Sequence, residues 1–414
     1  MALKCDVLVV GSGPAGSSAA RAAAKSGTKT VLIDNKKEIG VPVQCAEAIG
    51  KYLFPFLPFK IPKEQLIWKT EGMIFYADDI NIERRGRVWR SYAVNRNDFD
   101  AWLANSAVKE GAALLTSAEL VDMEIKNEYE VKRAIIKTPE GERVIEPRVV
   151  IAADGVDSTV LKLLGFKINK KGNIGEVLGY ELKNLSLYNP NFEHLFIGDF
   201  APGGYAYIFP KSKHVANVGV AAIFPEKSLE EYYKEFLEIP EVKRQVMGGI
   251  TVEEKSGKVP IRYSTDMWVY GNVLLTGDVA SQNLKPFAEG ILPAVICGDI
   301  AGKTASDYLK GKISLNTYSN RVRARLGNFL KMSDKITDIA YELAESETKE
   351  GELLRLCLLA DIISLKQISR LSETNRDEIK EKINDWQCSI IRQFITTTME
   401  NLNLFQAKFM QKIK

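Results

Sequence analysis

The run Val7-Leu8-Val9-Val10, stopped by Gly11-Ser12-Gly13-Pro14-Ala15-Gly16, constrains this chain more than any other stretch. An apolar run this short suits one buried strand, and the small residues 17–24 that follow suit a helix packed closely on it. In such a strand, turn and helix, Gly11 permits the tight turn, Gly13 lets backbone approach a pyrophosphate, and Gly16 lets the helix touch the strand. The helix N-terminus then faces the phosphate charge. Thr30-Val31-Leu32-Ile33-Asp34 follows at the expected distance as a second strand ending in a carboxylate. A carboxylate there accepts hydrogen bonds from a ribose 2'-hydroxyl and disfavours a 2'-phosphate, and hence NADP. A glycine-rich turn alone is common and can be purely structural. The order strand, turn, helix, strand and acid within the first 34 residues is what points to a dinucleotide, without separating FAD from NAD.

Composition narrows the function classes. At 414 residues with 45% hydrophobic content, the chain can bury a large core in two or three lobes. Its 56 Lys and Arg nearly balance 53 Asp and Glu, so no electrostatic case for nucleic acid arises. Cys5, Cys45, Cys297, Cys357 and Cys388 lie far apart without a Cys-x-x-Cys pair, which argues against an iron-sulfur cluster, a zinc site or a disulfide framework. His194 and His214 are too few for a histidine-rich metal centre. No apolar segment reaches the about 18 residues of a membrane-spanning helix, and the first strand starts too early to leave room for a targeting peptide. A cytoplasmic location is the expectation.

Further along, residues 36–48 read as a loop of Gly, Pro and small residues, and 52–59 as an aromatic stretch. Residues 92–103 suit a strand entering a helix capped by Asn97 or Asp98. Strands are expected at 111–121, 134–137 and 143–145, then a buried strand 149–152 turning sharply at Ala153-Asp154-Gly155 into a helix. From about 175 to 265 the pattern is rich in strands. Val273-Leu274-Leu275-Thr276-Gly277-Asp278 then returns as a further buried strand, followed by Pro286-Phe287-Ala288-Glu289-Gly290-Ile291 and a mostly helical remainder. The expected architecture is α/β: a Rossmann-type dinucleotide domain built from 1–170 and 266–310, an inserted antiparallel-sheet substrate domain at 171–265, and a helical C-terminal region at 311–414.

Three separated motifs, the early glycines, Ala-Asp-Gly-Val-Asp-Ser at 153–158 and Gly277-Asp278 with 286–291, together with Arg96, resemble the FAD-dependent family that includes aromatic-ring hydroxylases and geranylgeranyl reductases. The resemblance implies an extended FAD held by early and late segments. It puts Gly11, Gly13, Ala15 and Gly16 on the pyrophosphate with Asp154 in the same clamp, and Asp34 on the adenosine ribose. Cys45, Ala46, Ala48 and Arg96 would lie along the cofactor, Leu120 near the adenine, Asp278 on the ribityl chain, and Gly290-Ile291 beside the isoalloxazine. Within that family, Ala201-Pro202-Gly203-Gly204-Tyr205-Ala206-Tyr207-Ile208-Phe209-Pro210 is similar to the Tyr-x-Trp-x-Phe-Pro motif of geranylgeranyl reductases, which lines their substrate cavity. Tyr207 stands where Trp is usual, and the expected downstream glycine pair appears as Gly219-Val220-Ala221. Residues 42–47 look like the Pro-Val-x-Cys segment of archaeal lipid reductases.

The implied activity is hydrogenation of isolated double bonds in geranylgeranyl chains of archaeal-type ether lipid precursors, by reduced FAD. Tyr205, Tyr207 and Phe209 alternate, so on a strand they share one face. Their ring faces can stabilise a transition state with tertiary-cation character by roughly 0.5–2 kcal/mol each. The plain alternative is an ordinary sheet core. Cys45 is the candidate for gating or delivering the proton, against the usual part of a free Cys as a small buried hydrophobe. With no second Gly-x-Gly-x-x-Gly, electrons come either from transiently docked NAD(P)H or from a reduced ferredoxin-like protein. Ile379, Ile383, Trp386, Ile390, Phe394, Leu402, Phe405 and Phe409 recur at helical spacing with basic flanks, which suits a packed helix, a dimer contact or an anionic membrane surface. Two rival functions remain: an FAD-dependent monooxygenase of an aromatic or lipid-like substrate, and a prenyl-binding carrier without redox chemistry.

Overall fold

A computed structural model describes residues 2–344 except 78, 79, 169–171, 263, 264 and 266, together with 352, 355, 356 and 358–360. The chain divides after Ile339 into two compact units, and both large sheets belong to the first. The apolar stripe expected between Ile379 and Phe409 lies outside the described residues.

The first sheet is doubly wound. Leu3–Val10 lies between Gly141–Ala152 and Thr30–Ile33, parallel to both. Ala113–Leu115 extends the sheet beyond Thr30–Ile33, and Val273–Leu275 beyond Gly141–Ala152, again in parallel. Val7 and Val9 enter one core cluster with Leu32 and Ile151, while Leu8 and Val10 enter another with Val31 and Val150. Burial on both faces is why the strand reads as an unbroken apolar run. The first face carries the helices Pro14–Lys25, Arg96–Lys109 and Ile291–Leu309. The small-residue helix therefore packs against a second helix as well as the sheet. Added Cβ atoms at Gly298 and Gly302 would stand 2.1 Å from the carbonyls of Ala15 and Ala19, so the two helix backbones touch there. Chain order reverses on either side of Leu3–Val10, which places a crevice at the carboxyl ends of these strands.

The second sheet runs Ile250–Glu254, Ile174–Lys183, Val215–Ala222, Tyr205–Pro210, Phe192–Ile197, Gly72–Ala77, Ile80–Arg85, with Gly257–Pro260 also on Ile174–Lys183. Gly72–Ala77 joins it in parallel beside Phe192–Ile197. Residues 72–85, counted from sequence with the dinucleotide domain, are thus built into the substrate sheet. Gly72–Ala77 and Ile80–Arg85 form a hairpin, but the strand that anchors it, Phe192–Ile197, lies more than a hundred residues later, and local pattern carries no such pairing information. One face of this sheet, with Phe196, Ile208 and Val218, packs on Tyr232, Tyr233 and Phe236 of the helix Leu229–Glu238. Ser228 and Glu231 form a capping box at that helix start. The opposite face turns toward the crevice of the first sheet.

Two strand expectations need correction. The segment 111–121 is broken into Ala113–Leu115 and Glu119–Lys126 by a turn in which Ser117 takes φ of 50°. The pieces 143–145 and 149–152 are one strand, Gly141–Ala152, shared between the hairpin and the parallel core. Among the described residues, no helix is long and apolar enough to cross a membrane.

Candidate active site

At the crevice, Gly11 takes φ of +95°, and a Cβ there would stand 2.4 Å from the Ala153 carbonyl oxygen. A Cβ on Gly16 would stand 1.8 Å from the Gly11 oxygen, so both positions are fixed by backbone contact. Gly13 differs, because a Cβ there meets nothing within 4 Å. The space in front of Gly13 is a cradle that a side chain would fill. The helix Pro14–Lys25, with Ala15 and Gly16 in its first turn, begins without a side-chain cap, so early N–H groups are left for a ligand. The Ser12 N–H and hydroxyl donate to Asp34 Oδ2 at 2.7 and 2.6 Å, and the Lys36 N–H donates to Oδ1 at 2.9 Å. Asp34 thereby ties the second strand to the glycine turn. The Asp154 carboxylate is occupied differently. It accepts from Ser158 Oγ at 2.7 Å and the Val160 N–H at 2.9 Å, which folds the chain into the helix Thr159–Leu163. Leu120 is buried in the core on the second face of the sheet.

A groove runs past Lys36, Gln44, Arg96, Asp100, Gly155 and Asp278. Arg96 donates from Nε to Asp100 Oδ1 at 2.8 Å and from Nη2 to Oδ2 at 2.6 Å. Burial alone would lower the guanidinium pKa, but the Asp100 carboxylate and Cys45 outweigh it and raise it. Arg96 is therefore a fixed cation in the groove rather than a surface partner. Asp278 follows the strand Val273–Leu275, and its Oδ1 lies 3.4 Å from where a Gly290 Cβ would be. Burial raises the Asp278 pKa while Arg96 opposes that rise. Its side chain accepts no hydrogen bond from another described residue, so both oxygens are open acceptors at the groove.

The groove continues into a cavity of about 210 Å³. Cys45, Ala46, Ala48, Gly290 and Ile291 line one end, and Tyr205, Tyr207 and Phe209 form a wall. The three aromatics share a face of Tyr205–Pro210 as their alternation requires, with Tyr207 and Phe209 ring centroids 4.8 Å apart. The Tyr205 hydroxyl donates to the Phe287 carbonyl at 2.7 Å, joining this wall to the late loop that carries Gly290. Tyr207 lies across its neighbours. A Cβ at Gly179 or Gly219 would stand 2.4 or 2.5 Å from its hydroxyl oxygen. Gly179 and Gly219 face each other on adjacent strands. The glycine pair that sequence sought at 219–220 is thus completed across the sheet, by Gly179.

Behind Cys45 lies a buried ionic cluster that sequence reasoning missed. Lys211 Nζ reaches Glu47 Oε2 at 2.5 Å and Glu181 Oε2 at 2.6 Å, and Lys255 Nζ reaches the same oxygens at 2.5 and 2.7 Å. Burial would raise the Glu47 pKa, yet the two ammonium groups hold it below its ordinary value. The other Glu47 oxygen accepts from the Arg96 N–H at 2.7 Å, and the Glu47 N–H donates to Cys45 Sγ at 3.2 Å. Glu47, with φ of 64°, thus positions Cys45 and Arg96 together. Two cavity carboxyls, Glu193 and Glu289, also went unrecognised. Glu289 accepts from the Tyr52 hydroxyl at 2.5 Å and the Gly50 N–H at 2.7 Å. A charge inside the apolar run Phe-Glu-His-Leu-Phe-Ile was the available signal for Glu193.

A family model described as the geranylgeranyl reductase catalytic domain matches residues 174–258, most of the second sheet. One described as FAD dependent oxidoreductase matches residues 6–172. A digeranylgeranylglycerophospholipid reductase of Methanocaldococcus jannaschii is 34% identical over 349 residues, 83% of this chain and 88% of that protein. The protein of that name from Methanococcus aeolicus is 32% identical over 352 residues, with the same shares. A solved geranylgeranyl bacteriochlorophyll reductase-like protein of Thermoplasma acidophilum superposes with a TM-score of 0.78 at 25% identity, covering 93% of this chain and all 100% of its own. The open cradle at Gly13, the uncapped helix start and the acceptor oxygens of Asp278 are the donors, acceptors and space that FAD requires. By sequence over most of its length, and by fold, the chain belongs to the digeranylgeranylglycerophospholipid reductase family of FAD-dependent oxidoreductases.

Proposed function

We propose that this chain hydrogenates isolated C=C bonds in the geranylgeranyl chains of archaeal-type ether phospholipid precursors. The observation that carries this reading is the apolar cavity with an aromatic strand on one side and Gly290-Ile291 on the other, bridged by the Tyr205 hydroxyl and Phe287 carbonyl. Gly11, Gly13, Ala15 and Gly16 seat the pyrophosphate, Asp34 the adenosine ribose, and Asp278 the ribityl chain, while Leu120 borders the adenine. Asp154 shapes the turn beside them. Arg96, Cys45, Ala46 and Ala48 follow the cofactor to its ring, where Cys45 controls access. The catalytic unit divides into an FAD-binding part, 1–170 and 266–310, and a substrate part, 171–265, that borrows strands from 72–85; the helix Thr317–Ala344 follows them.

Bound FAD, once reduced, supplies the hydride. The chain's part is to exclude water, to orient the alkene against the flavin, and to present Tyr205, Tyr207 and Phe209 to the developing positive charge. Electrons reach the flavin from NAD(P)H or a ferredoxin-like protein, and the prenylated substrate is met with the protein lying peripherally on the membrane. Mass spectrometry of geranylgeranyl ether lipids incubated anaerobically with dithionite-reduced protein tests the reading. One added pair of hydrogens per reduced bond is expected. Unchanged lipid, with an oxygenated product appearing only under air and NAD(P)H, overturns it in favour of a monooxygenase.

A further inference from the structure

Saturating an alkene takes a proton as well as a hydride, and the cavity holds few groups able to give one. The Tyr205 O–H is committed to the Phe287 carbonyl and the Tyr52 O–H to Glu289. Burial pushes the Tyr207 phenol well above its ordinary pKa, so it holds its proton. Cys45 Sγ accepts from the Glu47 N–H and lies against the Arg96 guanidinium, a setting that suits a sulfur acceptor. His194 points to the helix-covered face, where it stacks with Tyr76 beside Phe196 and meets the Tyr76 hydroxyl at 2.9 Å.

Glu193 is left. Leu195 pairs with Tyr207, so alternation puts Glu193 on the same face of the sheet as the aromatic wall. The residue is 6% exposed and lines the cavity with Tyr205, Phe287 and Gly290. One carboxyl oxygen accepts from Ser91 Oγ, itself 2.5 Å from Thr70 Oγ1. The other has no hydrogen-bond partner among the described residues. Neither Glu193 nor Glu289 forms an ion pair among the described residues. The charged and titratable groups that line the cavity with Glu193 are Glu289, Glu47, Cys45, the Tyr52, Tyr205 and Tyr207 phenols, Arg90 and Lys258; of these, Glu289 acts on the Glu193 carboxyl, and Glu193 in turn on the Tyr52 and Tyr205 phenols. Burial raises the Glu193 pKa to about 7, the Ser91 bond opposes the rise and the Glu289 charge adds to it. Burial raises the Glu289 pKa as well, against the Tyr52 O–H and Gly50 N–H donors, and those two bonds leave its carboxyl held in place while one Glu193 oxygen stays open.

We infer that Glu193 is the catalytic acid that protonates the alkene, an assignment resting on the reductase reading above. As the π bond breaks, the Glu193 O–H bond breaks and its proton forms a C–H bond at the less substituted carbon. The second C–H bond, at the tertiary carbon, takes the electron pair of the hydride given up by reduced FAD, so the alkene is reduced and the flavin oxidised. Glu193 remains as a carboxylate and regains its proton from solvent before the next turnover.

The test uses full-length, FAD-loaded wild type, Glu193→Gln and Glu193→Asp. Infrared difference spectra read the acid without turnover: a protonated carboxyl band that titrates away around pH about 7 in wild type is absent from Glu193→Gln. In single-turnover alkene reduction by pre-reduced protein, the wild-type rate falls as pH rises through about 7, because the acid form is lost. Glu193→Gln slows the step by about 100-fold or more with its flavin spectrum intact, and Glu193→Asp recovers part of the rate. A Glu193→Gln protein as fast as wild type, or a carboxyl band that survives the substitution, overturns the assignment alone. A wild type that binds the lipid yet never reduces it brings down the reductase reading and this role together.

Discussion

Replacing Lys255 by Met removes one of the two ammonium groups that hold the buried Glu47 and Glu181 carboxylates, and with it the 3.7 Å contact to the more exposed Glu253. The Lys255, Glu47 and Lys211 side chains are 1%, 2% and 7% exposed, and that of Glu181 17%. Lys211 would then be the one ammonium group facing both carboxylates, with Asn217 Nδ2 at 3.1 Å and the Arg96 N–H at 2.7 Å as the remaining donors to Glu47. Breaking a buried pair in this way costs about 3–5 kcal/mol, whereas an exposed pair such as Lys25–Glu110 is screened by solvent and contributes little. Against a domain stability of roughly 5–15 kcal/mol, the loss is large and measurable by urea unfolding. The pH dependence has a definite sign. Burial opposes ionisation of Glu47 and Glu181, but the two lysines hold both below their ordinary value of 4.5. Their contribution is therefore present above 4.5 and is lost as pH falls through the folded-state values. With one lysine gone the depression shrinks, so the acid limb of the stability curve moves to higher pH. Lys255→Met with Glu181→Gln leaves the Glu47–Lys211 pair neutral overall and recovers a substantial part of the loss. A Lys255→Met protein within about 1 kcal/mol of wild type, with an unmoved acid limb, would refute the account of paired buried charge.

Two further substitutions separate folding from cofactor binding. Gly13→Ala places its methyl in open space, so the unliganded protein is expected to melt within a few degrees of wild type while FAD retention falls at least about tenfold, the effect of about 1.4 kcal/mol of lost binding. Gly16→Ala drives a methyl to 1.8 Å of the Gly11 oxygen, and the expectation is loss of soluble folded protein; flavin fluorescence and circular dichroism read both. Tyr205→Phe leaves the Phe287 carbonyl without its 2.7 Å partner at a cost of about 1–3 kcal/mol; an unchanged melting temperature for the flavin-bound protein would show that this bond does not hold the wall to the late loop.

The parts of this molecule legible in sequence are those whose reason is local. Gly16 is dictated by a turn that closes on the Gly11 carbonyl and Gly11 by its own φ of +95°, and the alternation of Tyr205, Tyr207 and Phe209 is a property of any strand. Glu47 is the opposite case. Its partners Lys211, Asn217 and Lys255 stand 164, 170 and 208 residues away, so nothing near Cys45 announced that the loop is anchored by charge. Residues 72–85 were counted with the dinucleotide domain for the same reason, since the pairing of Gly72–Ala77 with Phe192–Ile197 leaves no periodic trace. The glycine motif sharpens the distinction. In sequence, Gly219-Val220-Ala221 looks like a degraded pair; in the sheet, Gly179 supplies the second glycine from the neighbouring strand, directly against the Tyr207 hydroxyl. Gly179 and Gly219 together leave the room that the Tyr207 ring takes as it lies over the strands. Glu193 was the one distant feature with a local signature. An isolated carboxyl in an otherwise apolar strand costs burial energy that the fold has no structural need to spend, and that cost was readable before any partner was known.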